Sequence, residues 1–178
     1  MLARAGRRVV LIDADMRAPS VHHLTNSDNE AGLSNYLAGD DNLDALLQKA
    51  ESGPDVMSAG PAPPNAAELL PGDRLQELIS ELLERYDNIV VDSPPVLGLA
   101  DAPLVAGRME GVVFAAEVKS RGARVIRRAL QRLSAGQANL LGIVLTKLDT
   151  NEIGYGYGEE YGYGYGSSDR SGGKQASA

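Results

Sequence analysis

The sequence predicts an α/β fold in which a mostly parallel sheet is flanked by helices. Three observations predict it: short apolar runs rich in β-branched residues recur along the chain, helical patterns separate them, and several runs end in polar residues. Short runs of this composition are typical of strands buried on both faces. Strands that alternate with helices indicate crossover connections, and therefore parallel strands.

The first predicted strand, residues 9–12, guides the interpretation of the rest of the sequence. Its four branched apolar residues run without a polar break, and Asp13 and Asp15 follow at the strand end. Period-2 geometry places both carboxylates on one side of the backbone, and ligands of open α/β sheets gather at the carboxyl ends of strands. The two carboxylates repel each other unless a divalent cation or a basic ligand lies between them. Turn hydrogen bonds made by the aspartates are the alternative explanation.

The remaining elements follow from apolar runs and from helical spacing. Further strands are predicted at residues 55–59, 89–91, 112–116 and 140–145. The runs at 89–91 and 112–116 are expected to be buried. Helices are predicted at residues 32–37, 43–47, 75–86 and 125–133.

Three local features are also predicted. Asp40 and Asp41 are expected to cap the helix at residues 43–47. Asp101 is expected to cap the helix after the Pro-Pro loop at residues 94–95. His22 and His23 are expected to lie in a loop.

Composition narrows the class of protein. The chain of 178 residues is long enough for one domain with a core, and its formal net charge of -7 argues against a nucleic-acid partner. The absence of cysteine excludes disulfides and thiolate metal sites. No apolar run approaches the roughly 20 residues of a membrane span. We expect a soluble, intracellular, globular protein.

The composition changes after residue 150, and this change divides the chain. Residues 1–150 are predicted to form the folded domain and residues 151–178 a flexible tyrosine-rich tail. Glycine alternates with tyrosine in the tail, and glycine at this density supports neither a helix nor a core. Five of the seven tyrosines of the chain lie there: Tyr155, Tyr157, Tyr161, Tyr163 and Tyr165.

Two strand ends carry motifs that resemble known elements of nucleotide-binding proteins. Asp92 ends the predicted strand at residues 89–91, before a Ser-Pro-Pro sequence, and this pattern resembles a Walker B element. The strand that ends in Asp13 and Asp15 resembles the Walker A′ element of the deviant P-loop ATPases. That group includes the plasmid-partition and septum-site ATPases.

Two further segments resemble one family within that group, the bacterial tyrosine kinases of capsule and exopolysaccharide export. They are the sequence Gly-Pro-Ala-Pro-Pro-Asn-Ala-Ala-Glu-Leu-Leu at residues 60–70 and the C-terminal tyrosine cluster. The likeness runs from about residue 2 to residue 165. It implies a P-loop fold of the partition-ATPase type. It also implies an ATP-dependent protein-tyrosine autokinase that regulates exopolysaccharide or capsule polymerisation and export.

The resemblance implies a role for each matching residue. Asp13 would be the catalytic carboxylate that acts on the attacking tyrosine hydroxyl, while Asp15 and Asp92 would hold Mg²⁺. The residues expected near the nucleotide are Arg17, Thr146, Lys147 and Asp149. The five tyrosines of the tail would accept phosphate. ATP and Mg²⁺ are the implied cofactors.

The resemblance also implies partners and a location. The expected partners are a membrane-anchored polysaccharide co-polymerase or activator segment, other copies of the chain in a ring-like homo-oligomer, and a phosphotyrosine phosphatase. The expected location is cytoplasmic, at the inner face of the bacterial inner membrane, through a fused or separate membrane protein.

The sequence departs from the family pattern because it contains no Gly-x-x-x-x-Gly-Lys-Ser/Thr loop. In the family that loop binds the phosphates, and its lysine and hydroxyl contact phosphate and magnesium. We therefore expect a family member cut at its N-terminus, which alone is inactive and binds ATP poorly. The alternatives are a non-catalytic or partition-type nucleotide switch, and a GTPase. Residues 146–149 match the Thr/Asn-Lys-x-Asp pattern with which GTPases recognise guanine.

One predicted helix carries an unusual number of arginines. They lie on one side of the helix at residues 125–133 and just before it: Arg121, Arg124, Arg127, Arg128 and Arg132. A solvated surface explains them. A contact surface for an acidic partner, or for the Glu159–Glu160 region of a neighbour's tail, is the alternative.

Overall fold

The computed structural model describes residues 1–50, 53–64, 66–117 and 122–147. The strands in these ranges are β1 (Val9–Asp13), β2 (Asp55–Met57), β3 (Asn88–Asp92), β4 (Val112–Glu117) and β5 (Leu140–Thr146). The α-helices are α1 (Val21–Thr25), α2 (Leu33–Leu37), α3 (Leu43–Leu46), α4 (Ala66–Leu69), α5 (Arg74–Arg85), α6 (Asp101–Ala106) and α7 (Ala123–Ala135). The predicted tail, residues 151–178, lies outside the described residues.

The strands form two parallel sheets rather than one continuous sheet. The first has the order β2-β1-β3, and the second pairs β4 with β5. Every pairing between these strands is parallel, as the alternation of strands and helices predicts. A cavity of about 220 Å³ is lined by residues of β3 and β4, the loop after β3, and helices α6 and α7. The carboxyl ends of β1 and β3 are level, because Asp13 pairs with Asp92 in the register.

The main hydrophobic core lies around the first sheet. Val10 and Ile12 of β1 are fully buried, and α5 presents Leu75, Leu78 and Leu82 to the same cluster. These three leucines follow the helical spacing on which the prediction of α5 rests. Burial of each side chain contributes about 1.5–3 kcal/mol to folding.

The second sheet is much more exposed than the sequence predicts. Val113 of β4 and Leu141 of β5 are 59% and 69% exposed, so the expectation of a buried strand at residues 112–116 is wrong for the described part of the chain. The physical reason is that the described helices cover only part of the apolar surface of this sheet. Helix α7 buries Ala129 and Leu133, but Ile143, Val144 and Leu145 of β5 remain 44%, 50% and 49% exposed.

The same expectation for residues 89–91 in the first sheet is also wrong, because Val90 is 42% exposed and its two neighbours in β3 are only partly buried. None of the described helices combines the length and apolarity that crossing a membrane requires.

Two local predictions are wrong. His22 and His23 belong to helix α1 rather than to a loop. The cap of α3 is Asn42, whose side-chain oxygen accepts a hydrogen bond from the backbone N–H of Ala45 at 3.4 Å. Asp40 supports this turn indirectly, because its carboxylate accepts a hydrogen bond from the backbone N–H of Asn42.

Helix α2 begins against the segment that follows β2. The backbone N–H groups of Leu33 and Ser34 donate to the carbonyls of Ser58 and Ala59 at 2.8 and 2.9 Å. These bonds satisfy N–H groups that a helix start leaves without partners. Gly32 makes this approach possible, because a Cβ atom there would lie 1.9 Å from the carbonyl oxygen of Ser58.

We predict that Gly32→Ala destabilises the protein by about 2 kcal/mol or more, because the added methyl group must displace backbone atoms. Gly122→Ala is the matched control, since a Cβ atom at Gly122 meets nothing within 4 Å. Urea denaturation of both variants measures the effect. Equal free energies of unfolding for the two variants would contradict the close packing of α2 on residues 58–60.

Candidate functional site

The carboxylate of Asp13 lies at the carboxyl end of β1 and is fully buried. It accepts three backbone hydrogen bonds, from the N–H groups of Asp15, Ser20 and Val21, each at 3.0 Å. These bonds fasten the loop at residues 14–20 and the first residue of α1 to the strand end. The predicted catalytic carboxylate therefore also has a structural task, as the alternative explanation by hydrogen bonds of the aspartates suggested.

Asp15 organises the next turn of the same loop. Its Oδ1 atom accepts hydrogen bonds from the backbone N–H groups of Arg17 and Ala18, at 3.2 and 3.0 Å. The turn hydrogen bonds offered as an alternative explanation of the aspartate pair are thus present. They do not exclude a cation, because within the described ranges the second carboxylate oxygen of Asp15 accepts no hydrogen bond.

Asp92 lies beside Asp13 at the end of the neighbouring strand, and the backbone N–H of Ala14 donates to the carbonyl of Asp92 at 2.8 Å. The pKa of Asp92 is raised, first by partial burial of its carboxylate and then by the negative charges of Asp13 and Asp15. We call these three residues the aspartate edge. Three carboxylates thus lie close together, and a cation would relieve the part of this shift that comes from their mutual repulsion.

The aspartate edge suits a magnesium ion only with help from other ligands. Across the described ranges, no three His, Cys, Asp or Glu side chains cluster closely enough to form a metal site by themselves. Magnesium commonly binds proteins through one or two carboxylates, with water and substrate phosphates as its other ligands. Asp15 and Asp92 match that pattern.

Arg17 is tied to helix α6 by an ion pair that the sequence did not predict. Its Nε atom donates to Oδ2 of Asp101 at 2.7 Å, and the side chain of Asp101 is only 3% exposed. The hydrogen bond and the charge of Asp101 raise the pKa of Arg17. The expectation that Asp101 caps α6 is wrong, because Ala100 holds the cap position and Asp101 lies in the first turn.

The ion pair leaves polar groups without partners on both residues. Oδ1 of Asp101 is buried and has no hydrogen-bond partner among the described residues. In the same part of the chain, Arg17 uses only its Nε atom to contact a side chain. Its Nη groups are therefore able to contact a phosphate beside the aspartate edge. Such a long-range pair leaves no local sequence signal, since 84 positions separate the two residues.

The other predicted nucleotide contacts lie at the end of the second sheet. The hydroxyl of Thr146 donates to the carbonyl of Ala116 at 3.4 Å, and Nζ of Lys147 lies 3.1 Å from a carboxylate oxygen of Glu117. Both residues are thus held against β4. Asp149 and the five tail tyrosines lie outside the described residues, so their positions stay predictions.

Comparison with known proteins identifies relatives along most of the chain, although no family model matches it. The chain is 36% identical over 146 residues to the tyrosine-protein kinase Etk of Escherichia coli K12, which covers 82% of the chain and 20% of Etk. It is 33% identical over 159 residues to the tyrosine-protein kinase YwqD of Bacillus subtilis, covering 88% of the chain and 67% of YwqD. The chain therefore spans about a fifth of the length of Etk.

Solved structures confirm the predicted fold class. The kinase domain of Escherichia coli Etk superposes with a TM-score of 0.79 at 34% identity, covering 93% of the chain and 64% of that domain. The chimerical protein CapA2B2 gives 0.76 at 31% identity, covering 81% and 64%. The cell-division ATPase MinD of Pyrococcus furiosus, at 23% identity and a TM-score of 0.63, shares the fold alone.

We predict that Asp92→Asn raises the free energy of unfolding at neutral pH. The folded protein raises the pKa of this carboxyl above its ordinary value of 3.8, so the ionised group opposes folding. The stabilisation should be largest above the folded pKa and should disappear as the pH falls below about 3.8. Thermal unfolding across a pH series measures it.

Asp87→Asn is the control, because it should change the free energy of unfolding in the opposite direction. Hydrogen bonds from Arg8 and its positive charge lower the pKa of Asp87, so its ionised form stabilises the fold. This variant should be less stable than the wild type at neutral pH, and the difference should disappear as the pH falls through the folded pKa. A loss of stability in Asp92→Asn at neutral pH would rule out the crowding of charge at the aspartate edge.

Proposed function

The chain belongs to the bacterial tyrosine-protein kinases, and on that premise we propose that it transfers the γ-phosphoryl group of ATP to tyrosines of its own C-terminal segment. The observation that carries the proposal is the register of β1 and β3, which sets Asp13 opposite Asp92 in the pattern of the family. The tyrosine cluster supplies acceptors in the same chain. The process regulated would be polymerisation and export of capsule or exopolysaccharide.

Asp15 and Asp92 are the residues that would hold Mg²⁺. Their carboxylates have the oxygen chemistry that this ion prefers, and the raised pKa of Asp92 supports a site with surplus negative charge. A bound ion would neutralise charge on the phosphates of ATP and on the transferring group. Arg17 would contribute its Nη groups to the phosphates, oriented by the bond from its Nε atom to Asp101.

Asp13 would assist the attacking hydroxyl mainly by positioning it. A carboxylate is a weak base toward a phenol with a pKa of about 10, so it cannot remove the proton efficiently before the reaction begins. Both oxygens of Asp13 accept backbone hydrogen bonds in this structure. Oδ2 accepts two of these bonds and Oδ1 only one, so Oδ1 keeps a lone pair with which Asp13 would orient the hydroxyl.

The nucleotide base would lie near residues 146–149, where Thr146 and Lys147 are held against β4. Asp149 completes this proposed set. The same sequence matches the guanine-reading pattern of GTPases, so the choice between ATP and GTP is part of the test. A partition-type switch that binds nucleotide without phosphorylating tyrosine is the other alternative.

The family also supports proposals about assembly and place. We infer that the chain acts at the cytoplasmic face of the bacterial inner membrane, with a membrane-anchored activator segment. Other copies of the chain in a ring-like oligomer would be its further partners, and a phosphotyrosine phosphatase would reverse the modification.

We predict that the 178-residue chain alone binds Mg-ATP weakly, with a dissociation constant well above the low-micromolar range. The aspartate edge is negative, Asp101 offsets the charge of the Arg17 guanidinium beside it, and the sequence contains no Gly-x-x-x-x-Gly-Lys-Ser/Thr loop to compensate the phosphates. Repulsion between these carboxylates and a triphosphate opposes binding. Isothermal calorimetry with Mg-ATP and Mg-GTP measures both affinities. A low-micromolar value for either nucleotide would contradict the prediction.

We predict that phosphotransfer appears in a chimera that joins the chain to a segment with the Gly-x-x-x-x-Gly-Lys-Ser/Thr loop of the family pattern. Mass spectrometry should then find phosphate on the tail tyrosines. Asp92→Asn should reduce its rate by about 100-fold or more, because the Mg²⁺ ion that would stabilise the transition state loses a carboxylate ligand. Asp87→Asn should retain the rate, because Asp87 precedes the amino end of β3, whereas the aspartate edge lies at the carboxyl end.

The same chimera separates the alternatives. Hydrolysis of ATP without phosphotyrosine would indicate a partition-type switch, and a preference for GTP would indicate a GTPase. Asp13→Asn should lower both the rate and the stability, because an amide nitrogen would face backbone N–H donors. Retention of the full rate in that variant would remove Asp13 from the proposed machinery.

A further inference from the structure

Helix α7 displays a strongly basic surface. Its four arginines, Arg124, Arg127, Arg128 and Arg132, are all exposed, and its sequence contains no acidic residue. We call this surface the basic face. Among the described residues, no carboxylate lies within salt-bridge distance of these arginines. Arg132 donates to the carbonyl of Leu99 at 2.6 Å, which leaves the other three as the accessible part of the face.

The accessible arginines lie close to the point where the chain leaves the second sheet. Strand β4 ends at Glu117, and α7 begins six residues later at Ala123. Glu117 pairs in the register with Thr146, the last residue of β5. The first turns of α7 and the end of β5 are therefore on the same edge of the sheet. Lys147, the last described residue after β5, therefore lies at the end of the sheet from which the connection to α7 begins.

The segment after residue 147 has the complementary charge. Between residues 148 and 169 the sequence contains no lysine or arginine. Its carboxylates are Asp149, Glu152, Glu159, Glu160 and Asp169. Two of the five tyrosines precede Glu159 and Glu160, and the other three lie between Glu160 and Asp169. Each phosphate added to a tyrosine would contribute a further charge of about -1.5 to -2 at neutral pH.

We propose that the basic face of α7 is the docking site for the tyrosine-rich segment of the same chain after that segment is phosphorylated. Arginine forms bidentate, charge-assisted hydrogen bonds with phosphate oxygens, and a phosphate offers it three acceptor oxygens and a charge of about -1.5 to -2, against two oxygens and a single charge on a carboxylate. The inference rests on the proposed function for the origin of the phosphate. The proposal gives helix α7 the role of binding the phosphorylated segment.

The length of the connecting chain permits docking within one molecule. Tyr155 lies nine positions after Thr146 in the sequence, so nine Cα–Cα steps connect them. Extended at about 3.3–3.6 Å per residue, they span roughly 30 Å. Helix α7 has 13 residues and is about 20 Å long. The first tyrosines therefore reach every turn of the basic face without help from a second copy.

An anionic membrane fits this helix less well. Helices that lie on a membrane expose apolar side chains beside their basic residues, so that the apolar part enters the lipid. In α7 the apolar residues Val125, Ile126 and Ala129 instead line a pocket of about 250 Å³ against β4 and the loop after β3. Arginine is therefore the only charged residue type on the exposed side of α7.

The test installs phosphotyrosine at Tyr161 of the full chain during synthesis, which makes the result independent of kinase activity. The side-chain Nε–Hε NMR signals of Arg124, Arg127 and Arg128 should shift relative to the unphosphorylated chain. The shift should stay constant on dilution, because docking is intramolecular, and should shrink at high salt. Resistance of the segment to proteolysis should increase in parallel.

Two double variants of equal charge provide the control. Arg127→Gln/Arg128→Gln should abolish the shift of Arg124 and the protection. Arg4→Gln/Arg7→Gln, which neutralises two exposed arginines just before β1, should retain both. Retained circular dichroism in each variant shows that the fold is intact.

Three outcomes would overturn the proposal. The first is the absence of any shift on phosphorylation, and the second is a shift that disappears on dilution, which would assign the docked segment to a second copy. The third is unchanged arginine signals together with co-sedimentation of the unphosphorylated chain with phosphatidylglycerol vesicles, lost in Arg127→Gln/Arg128→Gln. That result would assign the basic face to a membrane.

Discussion

The buried carboxylate of Asp13 and its three backbone hydrogen bonds are the interaction on which the candidate site depends. An ionised carboxylate that is removed from water costs several kcal/mol unless donors compensate it. The N–H groups of Asp15, Ser20 and Val21 supply that compensation. They also hold the loop that carries Asp15 and Arg17, so the geometry of these side chains follows from the solvation of Asp13.

The same edge has an excess of negative charge. The ionised form of Asp92 is opposed by partial burial and by the charges of Asp13 and Asp15. Arg17 does not neutralise the edge alone, since its nearest partner is the buried Asp101. A protein gains nothing in stability from such an arrangement. It is the arrangement expected where a metal ion and phosphates bind, because binding then relieves repulsion that folding leaves in place.

The sequence predicted the elements whose signal is local. Leu75, Leu78 and Leu82 repeat at helical spacing, and they are the residues that α5 buries. The strand ends at Asp13 and Asp92 were also predictable, because an apolar run stops at each. Helix α1 was missed since its five residues are too few for a periodic signal. The exposure of β4 and β5 was missed because an apolar run does not reveal how much of the molecule covers it.

The sequence by itself determined which residues could take part in the chemistry: strand-end aspartates, a neighbouring arginine and a C-terminal row of tyrosines. Composition and spacing are properties of neighbouring residues, and they are complete in the sequence. Only the tertiary structure decided that Asp92 lies level with Asp13, that Asp101 holds Arg17, and that the start of α7 lies beside the end of β5. Those contacts join residues far apart in the chain. They depend on strand register and on the burial of charge, which packing sets and no local pattern encodes.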